Sequence, residues 1–439
     1  MLKKLVWKLL ATISGMNFNK EYKEAVTSDP QIFLKNLLFH AYNNVPYYHH
    51  ILGKVDVIKK GKVCLANFDK IPILTKETIR RRASELISRD YEKRKWFYNA
   101  SSGSTGEPVK FVQDKLFTKW ILVTSKYYYE DILGINEAFA KKILIWSAPR
   151  DNLGLSLGLK ANTISNALTN TIFLEPFTMT EAGMKGFLRT INSYKPEIIR
   201  GYAGSLYELC RFVERKKLSV FSPKIIVSSA ETLHGSMRKK IENVFGSKVY
   251  DFYGSRETDG IAGECSCGLL HIFTFNNHIE VLDRCNQTVK KEEEGRIVIT
   301  TLHNFSMPMI RYNIGDMAIL GPKKCKCGNP LPTLRKVTGR QIDYFLREDG
   351  RIIYGGYFIE LLWARDWVKA FKVIQEDYKR LRILIVLKDR IAYGRQKREM
   401  EEKIELVMGK GCKVKWEVVD EIPKTKTGKY LHVQSLLKE

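Results

Sequence analysis

Short apolar runs alternate with longer helical patterns between residues 116 and 245 of the chain. The short runs are KILIWSA at 142–148, EIIRGY at 197–202 and KIIVSSAE at 224–231. Short apolar runs that alternate with helices are typical of parallel strands covered on both faces. The pattern therefore predicts an α/β core with a largely parallel sheet, in which ligands bind at the carboxyl ends of the strands.

After residue 260 strand-like segments follow one another without long helices, as in HIFTFNNHIEVLD, GRIVITTL and PMIRYNIGDMAIL. From about residue 341 the strands RILIVLK and KVKWEVVD flank a charged helix at 396–408. We therefore predict a large N-terminal domain of the α/β class with mixed or parallel sheets flanked by helices, and a small mobile α+β lid. The predicted bounds are 1–340 for the large domain, divided into an α/β core at 95–260 and a β-rich part at 261–340, and 341–439 for the lid.

The first 16 residues have the pattern of an amphipathic basic helix, with Lys3, Lys4 and Lys8 among apolar residues at helical spacing. Lys8 interrupts the apolar stretch and no small-residue cleavage site is convincing, so the pattern does not predict a secretory signal. Two roles fit this segment: a helix packed on the large domain, or shallow association with anionic lipid at the inner face of the membrane.

The chain has 439 residues, enough for two or three structural units, because a single core stops growing at about 250–300 residues. The formal net charge of +25 favours an anionic partner. The basic residues are scattered and no nucleic-acid module is recognisable, so we predict no specific nucleic acid partner. Eight cysteines without a convincing signal peptide favour reduced thiols in the cytoplasm. A non-catalytic basic scaffold or nucleic-acid-binding protein is the alternative from another class.

The segment NASSGSTGEPVKF at 99–111 concentrates four hydroxyl side chains and two glycines in six residues. Glycine lets backbone N–H groups converge on an anion and the hydroxyls add donors, which predicts a phosphate-binding loop. It is not an ordinary P-loop, because Glu107 follows Gly106 where the Walker pattern requires Lys. A polar surface turn is the alternative. The hydroxyl and glycine positions are Ser101, Ser102, Gly103, Ser104, Thr105 and Gly106.

Polar segments also follow three of the predicted strands: GYAGS, SSAETL and DFYGSRETDG. In the third, Tyr253 offers a ring that can cover a purine, and Glu257 offers a carboxylate suited to magnesium. Farther along, Asp316 follows a strand-like segment and has oxygens that accept hydrogen bonds from ribose hydroxyls. Taken singly, each of these residues also fits an ordinary turn.

Two cysteine-rich segments lie about 60 residues apart in the sequence, CSC at 265–267 with a nearby histidine and CKCG at 325–328. Thiolate and imidazole ligands suit tetrahedral zinc, and two half-sites of this kind are typical of a structural zinc site. Free cysteines in turns are the alternative. Five candidates compete for four coordination positions: Cys265, Cys267, His271, Cys325 and Cys327.

The order of six motifs resembles the adenylate-forming ligase superfamily, in its phenylacetate–CoA ligase and capsule-biosynthesis branch. The motifs are HAYNNVPYYHHIL, SSGSTGEP, YGSRETDG, IRYNIGD, TGRQID and PKTKTGK, and they span nearly the whole chain. The resemblance implies an enzyme that joins a carboxylic acid to AMP at the expense of ATP, with Mg²⁺, and releases pyrophosphate. The acyl group then passes to a thiol such as coenzyme A, or to an amine such as an amino-sugar.

The resemblance also implies roles for individual residues. The loop 101–106 would hold the β and γ phosphates and Glu257 would bind magnesium, while Lys429 would bridge the carboxylate and the α-phosphate. Asp343 would be the hinge of the lid. The adenine site would comprise Ala230, Glu231 and Tyr253 with the following Gly254 and Ser255, and the ribose site Asp316 with Arg340. Of the five metal candidates, the family pattern favours Cys265, His271, Cys325 and Cys327, with Cys267 as the alternate.

Two segments depart from the family pattern. Ile342 stands where the hinge motif has its first aspartate. The motif after Tyr253–Gly254 continues as SRETDGIAGEC rather than as a glycine- and proline-rich stretch. Because that stretch borders the substrate carboxylate in relatives, the resemblance does not specify an aromatic acid.

Overall fold

A computed structural model describes residues 18–100, 109–138, 140–146, 170–175, 180–340, 344–349, 352–363, 365–422 and 432–437. The α-helices are α1 Asn19–Thr27, α2 Pro30–Asn44, α3 Pro46–Lys54, α4 Lys76–Arg81, α5 Ala83–Leu86, α6 Lys115–Lys126, α7 Glu181–Tyr194, α8 Ala203–Lys216, α9 Gly235–Phe245, α10 Gly356–Trp363 and α11 Arg390–Met408. Short 3-10 helices cover Leu65–Lys70 and Tyr91–Arg94, and a π-helical turn at Tyr127–Ile132 extends α6. None of the described helices is long and apolar enough to cross a bilayer.

The strands are β1 Ile58–Lys59, β2 Lys62–Val63, β3 Phe97–Ala100, β4 Lys110–Gln113, β5 Lys142–Ile145, β6 Thr171–Leu174, β7 Ile198–Tyr202, β8 Ile225–Ser229, β9 Val249–Ser255, β10 Asp259–Glu264, β11 Leu270–Ile272, β12 Asn277–Leu282, β13 Glu294–Thr301, β14 Tyr312–Leu320, β15 Thr333–Arg340, β16 Tyr344–Leu346, β17 Ile352–Tyr354, β18 Val368–Asp377, β19 Arg380–Leu387, β20 Lys413–Val418 and β21 Val433–Ser435. The predicted strands at 142–148, 197–202 and 224–231 are therefore confirmed. The amphipathic segment 1–16 lies outside the described residues.

Helix starts follow the local sequence closely. The Thr75 hydroxyl accepts a 3.1 Å hydrogen bond from the Thr78 N–H and caps α4, because an N-terminal turn has N–H groups without partners inside the helix. Asp114 caps α6 in the same way, through the Phe117 N–H at 3.0 Å. Pro46 ends one helix and begins the next, since proline is tolerated at the first helical position but breaks a helix interior.

Eleven of the described strands form one sheet in the order β12-β13-β14-β15-β11-β10-β9-β8-β7-β5-β6. The segment β9-β8-β7-β5-β6 is parallel and the remaining pairs are antiparallel. The β-rich part thus continues the α/β sheet. This is the mixed sheet flanked by helices that the sequence predicts.

Alternate side chains of the parallel strands face opposite layers of helices, because the side-chain period of a strand is two residues. Ile199, Ile226 and Val249 pack with α7, α8 and α9 in one buried cluster. Ile198, Val227 and neighbouring residues pack with α6 and the π-helical turn in another. Both faces of the parallel segment are therefore covered, and the strand ends are left as the place for a site.

The small C-terminal domain has its own sheet and its own core. Four strands pair in the order β20-β19-β18-β21, with β18 and β19 antiparallel. Buried residues of α10 and α11, including Phe358 and Ile404, pack on Ile383 and Ile385 of this sheet. The prediction of a small α+β domain at the C-terminal end is confirmed.

Candidate active site

Ala230 and Glu231 lie directly after β8, at the carboxyl edge of the parallel strands. Ala230 has a left-handed backbone, with φ +67°, which turns the chain sharply at the strand end. An Oε2 atom of Glu231 accepts a 2.8 Å hydrogen bond from the Gly204 N–H in the first turn of α8. A carboxylate at a helix N-terminus is favoured by the helix dipole and by N–H groups that lack partners. The segment is therefore anchored across the neighbouring strand.

Tyr253 and Asp316 contact each other directly. The Tyr253 hydroxyl donates a 2.7 Å hydrogen bond to Oδ2 of Asp316. Ala230 follows Ser229, which pairs with Phe252 in register, so the residues predicted for the adenine site lie on neighbouring strands. On β15, Arg340 is the register partner of Asp316. The predicted adenine and ribose residues therefore meet at one edge of the molecule.

Glu257 lies in the turn between β9 and β10, and its side chain is buried, with 6% of its surface exposed. The hydroxyl of Tyr312, a fully buried residue of β14, donates a 3.4 Å hydrogen bond to Oε1 of Glu257. Tyr312 was not predicted as a site residue. It comes from the IRYNIGD segment, whose contact with Glu257 spans 55 positions of sequence.

Two further residues tie the hairpin of β3 and β4 to the Glu257 turn. The amide of Gln113 donates a 2.8 Å hydrogen bond to the carbonyl of Arg256. Asn99 in turn donates a 3.0 Å hydrogen bond from its amide to Oε1 of Gln113. The predicted phosphate-binding loop lies between these two strands in sequence, so both of its neighbouring strands are fixed beside Glu257.

The turn after Tyr253 depends on glycine and on short polar side chains. A Cβ at Gly254 would lie 2.7 Å from the carbonyl oxygen of Asp259, which is shorter than van der Waals contact allows. The hydroxyl of Ser255 accepts a 3.3 Å hydrogen bond from the Thr258 N–H. The Asn277 amide donates a 2.8 Å hydrogen bond to the Gly260 carbonyl. The backbone around Glu257 is therefore held from several directions.

Several predicted site residues lie outside the described residues. They are Ser101, Ser102, Gly103, Ser104, Thr105, Gly106, Asp343 and Lys429. His432, which follows Lys429 by three positions, is described and is half-buried directly before the last strand. Burial, together with the charges of Lys336 and His432, lowers the pKa of His234 to about 4.

The four residues favoured for metal binding converge. One ligand atom from each of Cys265, His271, Cys325 and Cys327 lies within 4.8 Å of the others. The sulfurs of Cys265 and Cys325 are 3.6 Å apart, and Nε2 of His271 is 3.2 Å from Sγ of Cys327. Cys267 is exposed and outside this group.

Local geometry explains how the two cysteine segments present their sulfurs. Each is a Cys-x-Cys-Gly turn in which the glycine has a positive φ, +75° at Gly268 and +84° at Gly328. The glycine N–H closes the turn on the carbonyl of Cys265 or Cys325, at 2.9 and 3.2 Å. In the histidine ring, Nδ1 lies 3.0 Å from the carbonyl oxygen of Leu331. That bond orients the ring with Nε2 toward the sulfurs.

Comparison with known proteins finds similarity to CapK and to phenylacetate–coenzyme A ligases. Residues 345–435 match the CapK C-terminal domain family. Protein CapK of Staphylococcus aureus is 22% identical over 396 residues, which cover 88% of this chain and 84% of CapK. A phenylacetate–coenzyme A ligase of Thermus thermophilus is 26% identical over 334 residues, which cover 71% of this chain and 70% of the ligase.

A solved structure supports the same relationship at the level of the fold. A 2-hydroxyisobutyryl-CoA ligase in the postadenylation state superimposes with a TM-score of 0.70 at 18% identity, over 92% of this chain and 88% of that ligase. The predicted resemblance is therefore confirmed: the chain has the fold of the adenylate-forming ligases and resembles, within that superfamily, the branch of CapK and the phenylacetate–coenzyme A ligases.

Proposed function

We propose that this protein is an ATP-dependent, AMP-forming acid ligase. In the first half-reaction an oxygen of the acid carboxylate attacks the α-phosphorus of ATP, which forms an acyl-adenylate and releases pyrophosphate. In the second, a thiol such as that of coenzyme A attacks the acyl carbon and AMP leaves. The observation that carries the proposal is the contact between Tyr253 and Asp316 beside the Glu257 turn, where the strand ends of an adenylate-forming fold meet.

The nucleotide would be held by the residues that converge there. Tyr253 would cover the adenine, with Ala230, Glu231, Gly254 and Ser255 around it. Asp316 would accept hydrogen bonds from the ribose hydroxyls with help from Arg340. The hydroxyl and glycine loop 101–106 would hold the β and γ phosphates, because its neighbouring strands are tied to the Glu257 turn through Gln113.

Glu257 fits the requirement for a magnesium ligand. Mg²⁺ prefers hard oxygen donors and is commonly held by one or two carboxylates together with substrate phosphates. Glu257 offers such an oxygen, and the hydrogen bond from Tyr312 fixes its orientation. The ion would neutralise charge on the phosphates during adenylyl transfer.

Lys429 and Asp343 would serve the small domain. We infer that residues 341–439 turn as one unit about Asp343 between the half-reactions, and that Lys429 enters the site in the first. The separate four-stranded sheet and buried core of the C-terminal residues support this, because a unit with its own core can move as one body. A lysine carried into the site by the turning domain would supply a cation at the developing charge.

Exchange of labelled pyrophosphate into ATP, dependent on a carboxylic acid, tests the adenylation step. We expect exchange with at least one acid from a panel of aryl, fatty, hydroxy and amino acids. The absence of exchange with every acid, in a folded protein supplied with Mg²⁺, would contradict the proposal and favour a non-catalytic scaffold.

An amine is the alternative acceptor in the second step. The candidate follows from the resemblance to the capsule-biosynthesis branch, whose acceptor would be an amino-sugar or another amine. Once an active acid is found, mass spectrometry of products formed with coenzyme A or with an amino-sugar distinguishes a thioester from an amide.

We also propose that Cys265, His271, Cys325 and Cys327 bind a structural zinc ion. In a tetrahedral zinc site with three sulfurs and one nitrogen the ligand atoms lie about 3.5–3.8 Å apart. The observed separations of 3.6 and 3.2 Å are close to these values. Four protein ligands leave no open position, so the ion would hold β10, β11 and the segment before β15 together rather than act on the substrate.

A further inference from the structure

One layer of side chains lies at the carboxyl ends of the parallel strands, on the face covered by α6. Trp146 follows β5, and Arg200 and Tyr202 are alternate residues of β7. Ser229 is the last residue of β8, and Phe252 of β9 is its register partner. Strand periodicity places them on the same face as Ile198 and Val227. They are therefore next to the proposed adenine site but on the opposite face of β9 from Tyr253.

Arg200 is the only cation of this layer and it is half-buried. Its guanidinium carbon lies 4.7 Å from the ring centre of Phe252 and 5.5 Å from that of Trp146. An Nη2 hydrogen bond to the Ser229 hydroxyl is long, at 3.5 Å, and the guanidinium also bonds to the hydroxyl of Tyr129. Its hydrogen-bond and ring partners are thus neutral, while its charge also acts on the buried carboxyls of Glu137 and Asp259 without a direct ion pair among the described residues.

No carboxylate forms an ion pair with Arg200 within the described parts of the chain. The nearby Glu137 is bound instead by Lys142 at 3.3 Å and by the Ser125 hydroxyl at 2.8 Å. A half-buried guanidinium has five N–H donors in a planar fork that matches a carboxylate or two adjacent oxygens. The hydrogen bonds from Arg200 to the neutral hydroxyls of Ser229 and Tyr129 therefore leave some of its N–H donors for a ligand.

Trp146 and Tyr202 add a flat wall beside the guanidinium. Their rings stack with centres 4.4 Å apart and planes 26° apart. Such a wall accepts the flat or carbon-rich body of an acid, while Arg200 supplies the hydrogen bonds at one end. This combination of an apolar surface with one convergent charge is typical of a site for a small organic anion.

We propose that this layer selects the acid, and that Arg200 recognises a second oxygen-bearing group in addition to the carboxylate that is activated. The inference rests on the proposed ligase function, because the layer borders the adenine site where the acyl end of an acyl-adenylate would emerge. The substrate class is an acid with a hydroxyl, carbonyl or second carboxylate group. A wholly apolar acyl group would cover the guanidinium without satisfying its donors.

Matched acids test the inference with the full chain, ATP and Mg²⁺. Benzoate is compared with 4-hydroxybenzoate and terephthalate, and butyrate with 3-hydroxybutyrate and succinate, by acid-dependent pyrophosphate exchange. We expect an oxygen-bearing member to have a kcat/KM roughly 10- to 100-fold above its plain partner, as one charge-assisted hydrogen bond provides. The hydroxyl and carboxylate members identify which group is recognised.

Arg200→Met should remove this preference by raising KM for the oxygen-bearing acid while KM for ATP stays unchanged. Arg200→Lys should retain part of it, because lysine keeps the charge but loses the planar fork. Arg211→Met is the matched control, since Arg211 lies on α8 and pairs with Glu208 at 2.7 Å. Thermal unfolding of each variant verifies that the fold is intact.

The outcomes separate this inference from the proposed function. Two results would overturn the role of Arg200 and leave the ligase assignment standing. One is exchange that favours the plain acids, and the other is a preference for oxygen-bearing acids that survives in a folded Arg200→Met variant. The absence of exchange with any acid would overturn both.

Discussion

The Tyr253 hydroxyl donates a 2.7 Å hydrogen bond to Oδ2 of Asp316, although three strands lie between β9 and β14 in the order of the sheet. The sheet permits this because β15 pairs with β11 only through Leu334 and Thr333, at the end of β15 remote from Arg340. The ends of β9 and β14 therefore approach each other beyond the paired region. This approach brings the residues proposed for adenine and ribose into one site.

Substitution of Asp316 should weaken the use of ATP more than the use of the acid. Asp316→Asn removes a charged acceptor for the ribose hydroxyls, so we expect KM for ATP to rise about 10- to 100-fold in pyrophosphate exchange, as loss of hydrogen bonds to a charged group implies. Tyr253→Phe removes the hydroxyl donor to Asp316 but keeps the carboxylate and the ring, and should have a smaller effect, within about 10-fold.

Tyr250→Phe is the control for both variants, because Tyr250 belongs to the same strand but packs in the cluster on the α6 face. It should leave KM for ATP unchanged. An equal rise in KM for ATP and for the acid in Asp316→Asn would place Asp316 outside the ribose site.

The pairing of Glu257 with Tyr312 predicts a change in magnesium dependence. Glu257→Gln removes the proposed Mg²⁺ ligand, so the exchange rate should fall by about 10²- to 10³-fold, in line with loss of electrostatic stabilisation. Tyr312→Phe removes the 3.4 Å hydrogen bond to Glu257, and should raise the Mg²⁺ concentration needed for half-maximal rate with little change at saturation. Titration of Mg²⁺ at fixed ATP measures both. A Glu257→Gln enzyme with the wild-type Mg²⁺ requirement would contradict the assignment.

The cysteine and histidine cluster predicts one zinc ion per chain in protein purified without added metal. Cys325→Ser should abolish stoichiometric zinc and lower the melting temperature, because a closed site binds its ion only in the folded chain. Chelation of the wild-type protein should lower the melting temperature in the same way.

Cys267→Ser and Cys285→Ser are the controls, since both residues are exposed and lie outside the cluster. Neither change should alter zinc content. Substoichiometric zinc together with unchanged stability after chelation would exclude a structural ion.

Buried histidine predicts acid sensitivity of the fold. His303 stacks on Trp120 at 3.5 Å and its Nε2 lies 2.7 Å from the Phe275 carbonyl oxygen. Burial lowers the pKa of His303 to about 3. Because the unfolded chain has a histidine pKa near 6.5, it binds more protons than the folded chain between these values, and stability falls as pH falls below about 6.5.

The protonation of His303 on unfolding should lower the unfolding free energy by about 1 kcal/mol from pH 6 to pH 5. Urea unfolding at the two pH values measures the difference. His303→Gln should be less stable than the wild type at pH 7 and should lose about 1 kcal/mol less between pH 6 and 5. His50→Gln, at an exposed position, should keep the wild-type slope. An unchanged slope in His303→Gln would show that this histidine does not contribute.

Local sequence was enough to predict the strands and the polar residues at their ends. The apolar run EIIRGY forms β7, and the polar segments GYAGS and SSAETL follow β7 and β8 as the sequence predicts. These features depend on neighbours within a few residues, which a sequence pattern contains directly.

The partners of the site residues could not be predicted in the same way. Gln113 reaches Arg256 across 143 positions, and Tyr312 reaches Glu257 across 55. Such contacts depend on the curvature of the sheet and on strand order, not on local pattern. The role proposed for Arg200 could not be predicted either. Within EIIRGY it is one polar residue of a strand, and only the strand register shows which rings surround it.

The cysteine and histidine cluster combines a feature that local sequence predicts with contacts that depend on the fold. The residue types predicted a soft metal site, but five candidates were available for four positions. The family pattern favoured four of the five, and the pairing of β11 with β15, which places His271 beside Thr333, shows how the fold brings the two cysteine segments together.

The central claim is that two half-reactions share one site and that Lys429 acts only in the first. The decisive measurement compares the wild type, Lys429→Ala and the control Lys426→Ala in two assays. The first is pyrophosphate exchange with the most active acid. The second is cleavage of the synthetic acyl-adenylate of that acid by coenzyme A or the amine acceptor. The account predicts that Lys429→Ala loses on the order of 10²–10³ in exchange yet cleaves the acyl-adenylate at the wild-type rate, while Lys426→Ala changes neither. Equal losses in the two assays, or undiminished exchange in Lys429→Ala, would contradict it.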